Sequence, residues 1–305
     1  MSKNIKDIEN YQNFIDAREG VFVSDRIWDT EANKVTCIKP DNRRKIKIDK
    51  DFCLFRYVPF SRLYTELKEQ ALTFISPKKW DDPYESLFFQ EDKIKIKEDK
   101  VLNGCLCFTH NRFKEEEAAW KLRKDDEPIV KICVNFSALL DRLSLIANKK
   151  EDKPAVRFYI SLCNYSLNKS DIDSSYTAYK NLTEIKLEDY LNCMSIKRKA
   201  FEHESEVRIF AISDKKNEKV DGKENKKEKE QKKDVASYNV GNYKDLITEI
   251  LLPPLKGYNP GDSRYKHYVE IQDIYNKGMR DFFYDYFQQI VSQSRLYQCE
   301  KVKGK

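Results

Sequence analysis

Six short apolar blocks, irregularly spaced, restrict the fold of this chain more than any other feature. Cys53–Val58, Leu72–Ser76, Gly104–Thr109, Ile129–Val134, Val207–Ile212 and Ile247–Leu252 each read as a strand, being short and bounded by turn formers. Helical patterns stand between some of them: Arg62–Gln70 with Ser61 as its N-cap, Glu115–Leu122, Phe136–Ala147 and the 155–167 stretch. Strands and helices mix without a regular βαβ period, so the expected class is α+β, built as a single domain over residues 51–260. Before it lies a polar N-terminal extension, residues 1–50, with one helix near Ile5–Ala17. Residues 168–190 read as loop and irregular helix. Tyr268–Tyr297 reads as a long aromatic-rich helical stretch within a C-terminal region, residues 261–305.

The stretch Phe201-Glu202-His203-Glu204-Ser205-Glu206-Val207-Arg208-Ile209-Phe210 carries the densest chemistry. Val207, Ile209 and Ala211 alternate with polar residues, the period of a half-buried strand. Glu202, Glu204, Glu206 and Arg208 would then share the other face, with neighbours roughly 6.5–7 Å apart. Three carboxylates stacked this way repel one another unless a cation, a donor-rich ligand or water meets them. Two readings are open. One is a solvated edge strand with a single i,i+2 ion pair, Glu206 to Arg208. The other is a Glu-x-Glu site built around a sugar hydroxyl and a positively charged sugar carbon.

Composition removes several function classes. Hydrophobic residues make up 40% and aromatics 12%, enough for a substantial core, while 35% charged residues give a strongly polar surface. Only eight glycines occur, and neither GxGxxG nor GxxxxGK[ST] is present, which argues against a Gly-rich phosphate loop. The net charge of +6 permits an anionic partner without demanding one. Eight cysteines are scattered with no CxxC, Met1–Asn10 is polar and charged, and no apolar run approaches a membrane span. The expectation is a cytoplasmic protein with reduced thiols and no membrane partner. Cys105-x-Cys107 has the period of one strand face, and no metal site is expected. His110, His203 and His267 come with no nucleophile elbow or ligand cluster. In the Lys/Glu run of residues 214–234 acids nearly balance lysines and no aromatic interleaves, so it reads as a solvated loop rather than a nucleic-acid grip.

Four blocks set unusual polar residues beside strand cores. Arg56 interrupts an apolar strand; it either pairs with a core carboxylate or aims a guanidinium at phosphate. Trp80–Glu85 is a rigid loop or a site wall, and its acids Asp81, Asp82 and Glu85 leave open a metal-dependent nuclease. Thr109 puts a hydroxyl at a strand end. Glu204 and Glu206 form the fourth block.

Taken in order, Leu54-Phe55-Arg56-Tyr57, then Leu72–Glu85, then Cys107-Phe108-Thr109, then Trp120, then Lys199–Arg208 resembles a bacterial and phage family catalogued as domain of unknown function 2971. The likeness spans about residues 53–255. The chain departs from that pattern at Trp80-Asp81, where the family has Phe-Asn, at Thr109 for Ser, and at Phe201 for Trp. The block order is also similar to an ADP-ribosyltransferase layout, with a basic residue on the first strand, a hydroxyl residue on a middle strand and a Glu-x-Glu on a later one.

That resemblance implies a split mixed β-sheet flanked by helices, with NAD as co-substrate. It implies transfer of ADP-ribose to a nucleic acid or protein, as a toxin or anti-phage effector, with an antitoxin or regulatory protein as a further partner. It further implies that Arg56 contacts the NAD diphosphate or the adjacent ribose, and that Thr109 braces the nicotinamide ribose. Glu206 would stabilise the oxocarbenium-like transition state and Glu204 would position the acceptor, with Tyr57 and Trp120 completing the NAD-binding set. A carboxylate beside the developing ribosyl cation lowers the barrier to bond cleavage, and nicotinamide leaves as a neutral molecule without a strong general acid. The competing class is a nucleic-acid or protein binding module with a degenerate pocket.

Overall fold

A computed structural model of the chain describes residues 11–26, 52–80, 85, 95–110, 120, 129–149, 155–165, 169–180, 182–214, 235–253, 277–283 and 291–293. The strands are β1 (Phe14–Arg18), β2 (Val21–Ser24), β3 (Cys53–Pro59), β4 (Ala71–Ile75), β5 (Lys95–Ile96), β6 (Lys100–Thr109) and β7 (Ile129–Asn135). They continue with β8 (Val156–Leu162), β9 (Glu184–Ile185), β10 (Glu206–Asp214), β11 (Val235–Asn239), β12 (Ile247–Leu252) and β13 (Val291–Gln293). The helices are α1 (Phe60–Glu69), α2 (Phe136–Ala147), α3 (Lys169–Lys180) and α4 (Leu187–Cys193). Among the described residues thirteen strands join one mixed sheet in the order β1-β2-β8-β10-β6-β3-β7-β12-β13, with β4 and β5 also pairing β6, β11 pairing β4 and β9 pairing β5. The protein is α+β: pairing is antiparallel except at β2/β8, β12/β13 and β5/β9, which are parallel.

Every one of the six apolar blocks is a strand, because each is buried from at least one side. The centre of the sheet is β10, flanked by β8 and β6. Its residues from Glu206 to Ile212 are all buried, so it is a central strand and not a solvated edge. One face of the sheet carries Val207, Ile209, Leu106, Phe108, Ile160 and Leu54 into the larger core under α1 and α2. The opposite face carries Phe210, Tyr159 and Cys105 into a second core with Tyr190, Leu191 and Met194. Burying each large apolar side chain is worth about 1.5–3 kcal/mol. In α2, Phe136, Leu139, Leu140 and Leu143 form the buried stripe, and the Asn135 side chain caps the N-terminus by accepting from Ala138 N–H at 2.9 Å.

The sheet splits beside β6. Thr109 pairs with Phe55 of β3, but four residues earlier Cys105 pairs with Ile75 of β4. Gly104 allows that second approach: a Cβ there would lie 2.9 Å from the Phe74 carbonyl carbon.

Several expectations from sequence are corrected. The helix over Ile5–Ala17 fails within the described residues, where Phe14–Arg18 is β1, closed against β2 through Gly20 at φ 74°. The 155–167 stretch holds strand β8 instead of a helix. Val156, Phe158, Tyr159, Ile160 and Ser161 are buried on both faces, and a two-sided apolar run has no period that separates strand from helix. Within 168–190 the structure has two regular helices, α3 and α4, the first anchored by the fully buried Tyr179 despite its poor helix formers. Ser61 lies inside the first turn of α1, which begins at Phe60 after Pro59. In the C-terminal stretch 277–283 is helical, but Val291–Gln293 is a strand on β12. Asp81, Asp82, the 215–234 run and most of Glu115–Leu122 lie outside the described residues.

Candidate functional site

Arg56 and Arg208 both interrupt apolar strands, and the register decides what each meets. Glu206 opposes Thr109, and Thr109 opposes Phe55. Cross-strand partners point to one face, so Glu206, Thr109 and Phe55 form a row about 10 Å wide, with Tyr57 two residues on along the same face of β3. Arg56 alternates to the other face. There its guanidinium bonds both Glu66 oxygens at 3.1 and 2.8 Å. Glu66 also accepts from Thr73 N–H and Tyr243 O–H, so the pair is a closed brace between β3, α1 and β4. Burial alone would push the Arg56 guanidinium down, but Glu66 more than offsets it and raises it. Arg56, which the resemblance implies as a contact of the NAD diphosphate, therefore lies on the opposite face of the sheet from Thr109 and Glu206: proximity in the strand order does not give a common face.

On the row's own face the acids converge on two cations. Residues Lys199–Glu204 form a 3₁₀ helix, not a strand, and Ser205 turns the chain through the left-handed region at φ 44°. That turn breaks the expected alternation: Glu202 is exposed on the helix, while Glu204 approaches Glu206 from outside the sheet. Lys197 Nζ donates to Glu204 at 2.5 Å and to Glu206 at 2.7 Å, and pairs with Glu85 at 3.1 Å. Arg208 donates through Nε to Glu206 Oε1 at 3.0 Å, through Nη2 to Glu85 at 2.7 Å and Glu206 Oε2 at 3.1 Å, and through Nη1 to Met194 carbonyl at 2.6 Å. Its guanidinium lies 4.2 Å from the Trp80 ring centroid. Backbone bonds fix the strand end: Glu206 N–H donates to Tyr165 Oη and Cys163 N–H to Glu206 carbonyl, both at 2.9 Å.

Three carboxylates thus share two cations, and the environments push the acids apart. Burial alone would raise Glu206, but Arg208 and Lys197 outweigh it and hold the carboxyl well below the usual carboxylate range. Burial dominates at Glu204 and raises it despite Lys197. The Lys197 ammonium, which burial would lower, is held well above its ordinary value by Glu206 and Glu85. Glu206 is 6% exposed with both oxygens occupied, whereas the Glu204 side chain is 21% exposed. Glu204 is the reachable acid and Glu206 the fixed charge. The two carboxyls thus differ in environment: one is buried between two cations, the other is partly open to solvent.

Tyr57 and Trp120 pack edge to face with centroids 5.0 Å apart. Beside them Lys131 of β7, opposite Tyr57, lies 4.8 Å from the Phe55 ring centroid and 5.6 Å from that of Tyr57. Sequence reading overlooked Lys197 and Lys131. Lys197 directly follows the buried run Leu191–Ile196, and Lys131 sits inside an apolar strand; a lone lysine against buried neighbours is the signal both carry. Glu85, named for a nuclease, is tied to Arg208 and Lys197. His110 is lowered by burial, and the His203 ring nitrogen Nδ1 sits 3.1 Å from the Ala200 carbonyl. Among the described residues no group of three His, Cys, Asp or Glu side chains is arranged to hold a metal ion, and no helix is long and apolar enough to cross a membrane. Compared with protein-family models, curated proteins and solved structures, the chain gave no match.

Proposed function

We propose that the chain is an NAD-dependent ADP-ribosyltransferase that breaks the nicotinamide glycosidic bond at the Glu204/Glu206 end of β10. The observation that carries the reading is the pairing of Glu206 with Thr109 next to the place where β3 and β4 part, with Glu204 joined to Glu206 through the Lys197 ammonium. A hydroxyl directly across from a Glu-x-Glu acid supports the reading, since a hydroxyl and a carboxylate side by side can both hydrogen-bond one ribose. In the reaction the C1′–N bond breaks with its electron pair leaving on neutral nicotinamide. A hydroxyl or amine of the acceptor forms the new bond to C1′, and its proton is released. Glu206 supplies a permanent negative charge near the ribosyl cation, and Glu204 meets the acceptor hydrogen, within reach of solvent. The acceptor is a nucleic acid or protein, and the family resemblance would give the activity a toxin or anti-phage role.

The test is incubation of the purified chain with adenylate-labelled NAD and cell extract. Label in macromolecules together with free nicotinamide is expected; neither product from the wild-type chain would overturn the reading. A second reading, a binding module, is favoured by the saturation of Glu206, both of whose oxygens are occupied within the protein. Binding of a macromolecular partner with no NAD-induced rise in Tm would select it.

A further inference from the structure

Both carboxylate oxygens of Glu206 are spent on Lys197 and Arg208, so a ribose at this end of β10 needs a hydrogen-bond partner outside the ion cluster. Thr109 flanks Glu206 on the β6 side. On the β8 side stands Tyr165. Past the end of β8 the Cys163 N–H reaches the Glu206 carbonyl, and the Tyr165 hydroxyl takes the place of the next ladder acceptor, receiving Glu206 N–H at 2.9 Å. The chain beside the ring is pinned too: Asn164 N–H donates to the Ser195 carbonyl at 2.7 Å, and Lys197 N–H to the Asn164 carbonyl at 3.0 Å. Tyr165 is thereby fixed next to Glu206 and next to the segment that carries Lys197.

A phenol oxygen that accepts a hydrogen bond still has one hydrogen to give. No described residue accepts that of Tyr165, and the residue is only half-buried. Burial first, then Cys163 and Glu206, raise the phenol above its ordinary value, so the hydrogen stays in place at neutral pH. The other open group of the cluster is Glu204, which bonds Lys197 through Oε2 and keeps Oε1 for the acceptor. The donor left for the sugar is Tyr165.

We propose that Tyr165 is a specificity-determining residue whose O–H donates to one of the two hydroxyls of the nicotinamide ribose. This rests on the transferase reading for what the sugar is. A site built to hydrogen-bond a substrate hydroxyl rejects the analogue that lacks it.

The experiment is calorimetric titration of the full chain with nicotinamide riboside and its 2′-deoxy and 3′-deoxy analogues, in wild type, Tyr165→Phe and Tyr165→O-methyltyrosine. The last keeps an oxygen for Glu206 N–H and loses only the hydrogen. Expected is binding of one deoxy analogue about 3–10-fold weaker than of the riboside in wild type, with that difference gone in both variants. The same hydroxyl preference in Tyr165→Phe as in wild type, no preference in wild type, or no riboside binding by wild type overturns the assignment. If Tyr165→Phe does not fold, the O-methyltyrosine variant decides alone. Nicotinamide release from NAD with the hydroxyl preference intact in Tyr165→Phe would sink the assignment and leave the transferase reading standing. A preference that depends on Tyr165 without any nicotinamide release would do the reverse.

Discussion

Two buried arginines, Arg56 and Arg208, have the same sequence signature and end in different electrostatic situations. Arg56 meets one carboxylate, Glu66, on the face that α1 covers, and the charges cancel. Arg208 and Lys197 meet three, Glu85, Glu204 and Glu206, and the most exposed of these keeps an edge open to solvent. A closed, balanced pair braces a fold. An unbalanced cluster with one acid partly open to solvent is where the proposed reaction is placed, because its charges are not all spent on one another. An arginine in an apolar strand therefore signals a buried ion pair, and only the register and the count of acids around it separate brace from site.

Removing Arg208 should have the largest effect. Arg208→Met leaves Glu85 and Glu206 buried with Lys197 alone, and a loss of about 3–5 kcal/mol is expected from denaturant unfolding. Arg56→Met should cost about as much or somewhat less, but with Glu66→Met added most of the loss should return, since a closed pair can be replaced by apolar groups. No single partner change should rescue Arg208→Met. If one does, the two clusters are alike and the contrast fails.

Acid sharpens the same contrast. Glu206 is held below its ordinary value of 4.5, so the unfolded chain binds the proton first. Its contribution is present above that value and is lost as pH falls below it toward the folded value. Glu204 is raised by burial, so its contribution runs the other way and is lost as pH rises through its folded value. Unfolding midpoints measured from about pH 7 down to about pH 3 should fall in the wild type and fall less in Glu206→Gln. The smallest effect belongs to the turn between the acids. Ser205 occupies the left-handed region, and Ser205→Gly should stabilise by about 0.5–1 kcal/mol in the same assay.

The strands were legible because each apolar block is short and bounded, and β12 spans the same residues as its block, whereas β10 is buried on both faces and not on alternate residues alone. The face of Arg56 was not, since a block order records which strand a residue is on and not which neighbour fixes its register. Ser205 hid the geometry of the acids: one left-handed residue turned an apparent ladder of Glu202, Glu204 and Glu206 into a helix end meeting a strand start. Lys197 was not legible because a 3₁₀ helix and the Ser205 turn, which the strand period did not foresee, fold Glu204 and Glu206 back onto it, and its third partner, Glu85, is remote in sequence.

The central claim is that the Arg208 cluster is a bond-breaking site and the Arg56 pair a brace. The most direct measurement is the rate of nicotinamide release from NAD by wild type, Glu204→Gln and the Arg56→Met/Glu66→Met double variant. Expected are release by the wild type, a loss of about 10²–10⁴-fold in Glu204→Gln at unchanged Tm, and a near-normal rate in the double variant. No release from the wild type, or equal rates in wild type and Glu204→Gln, would contradict the claim.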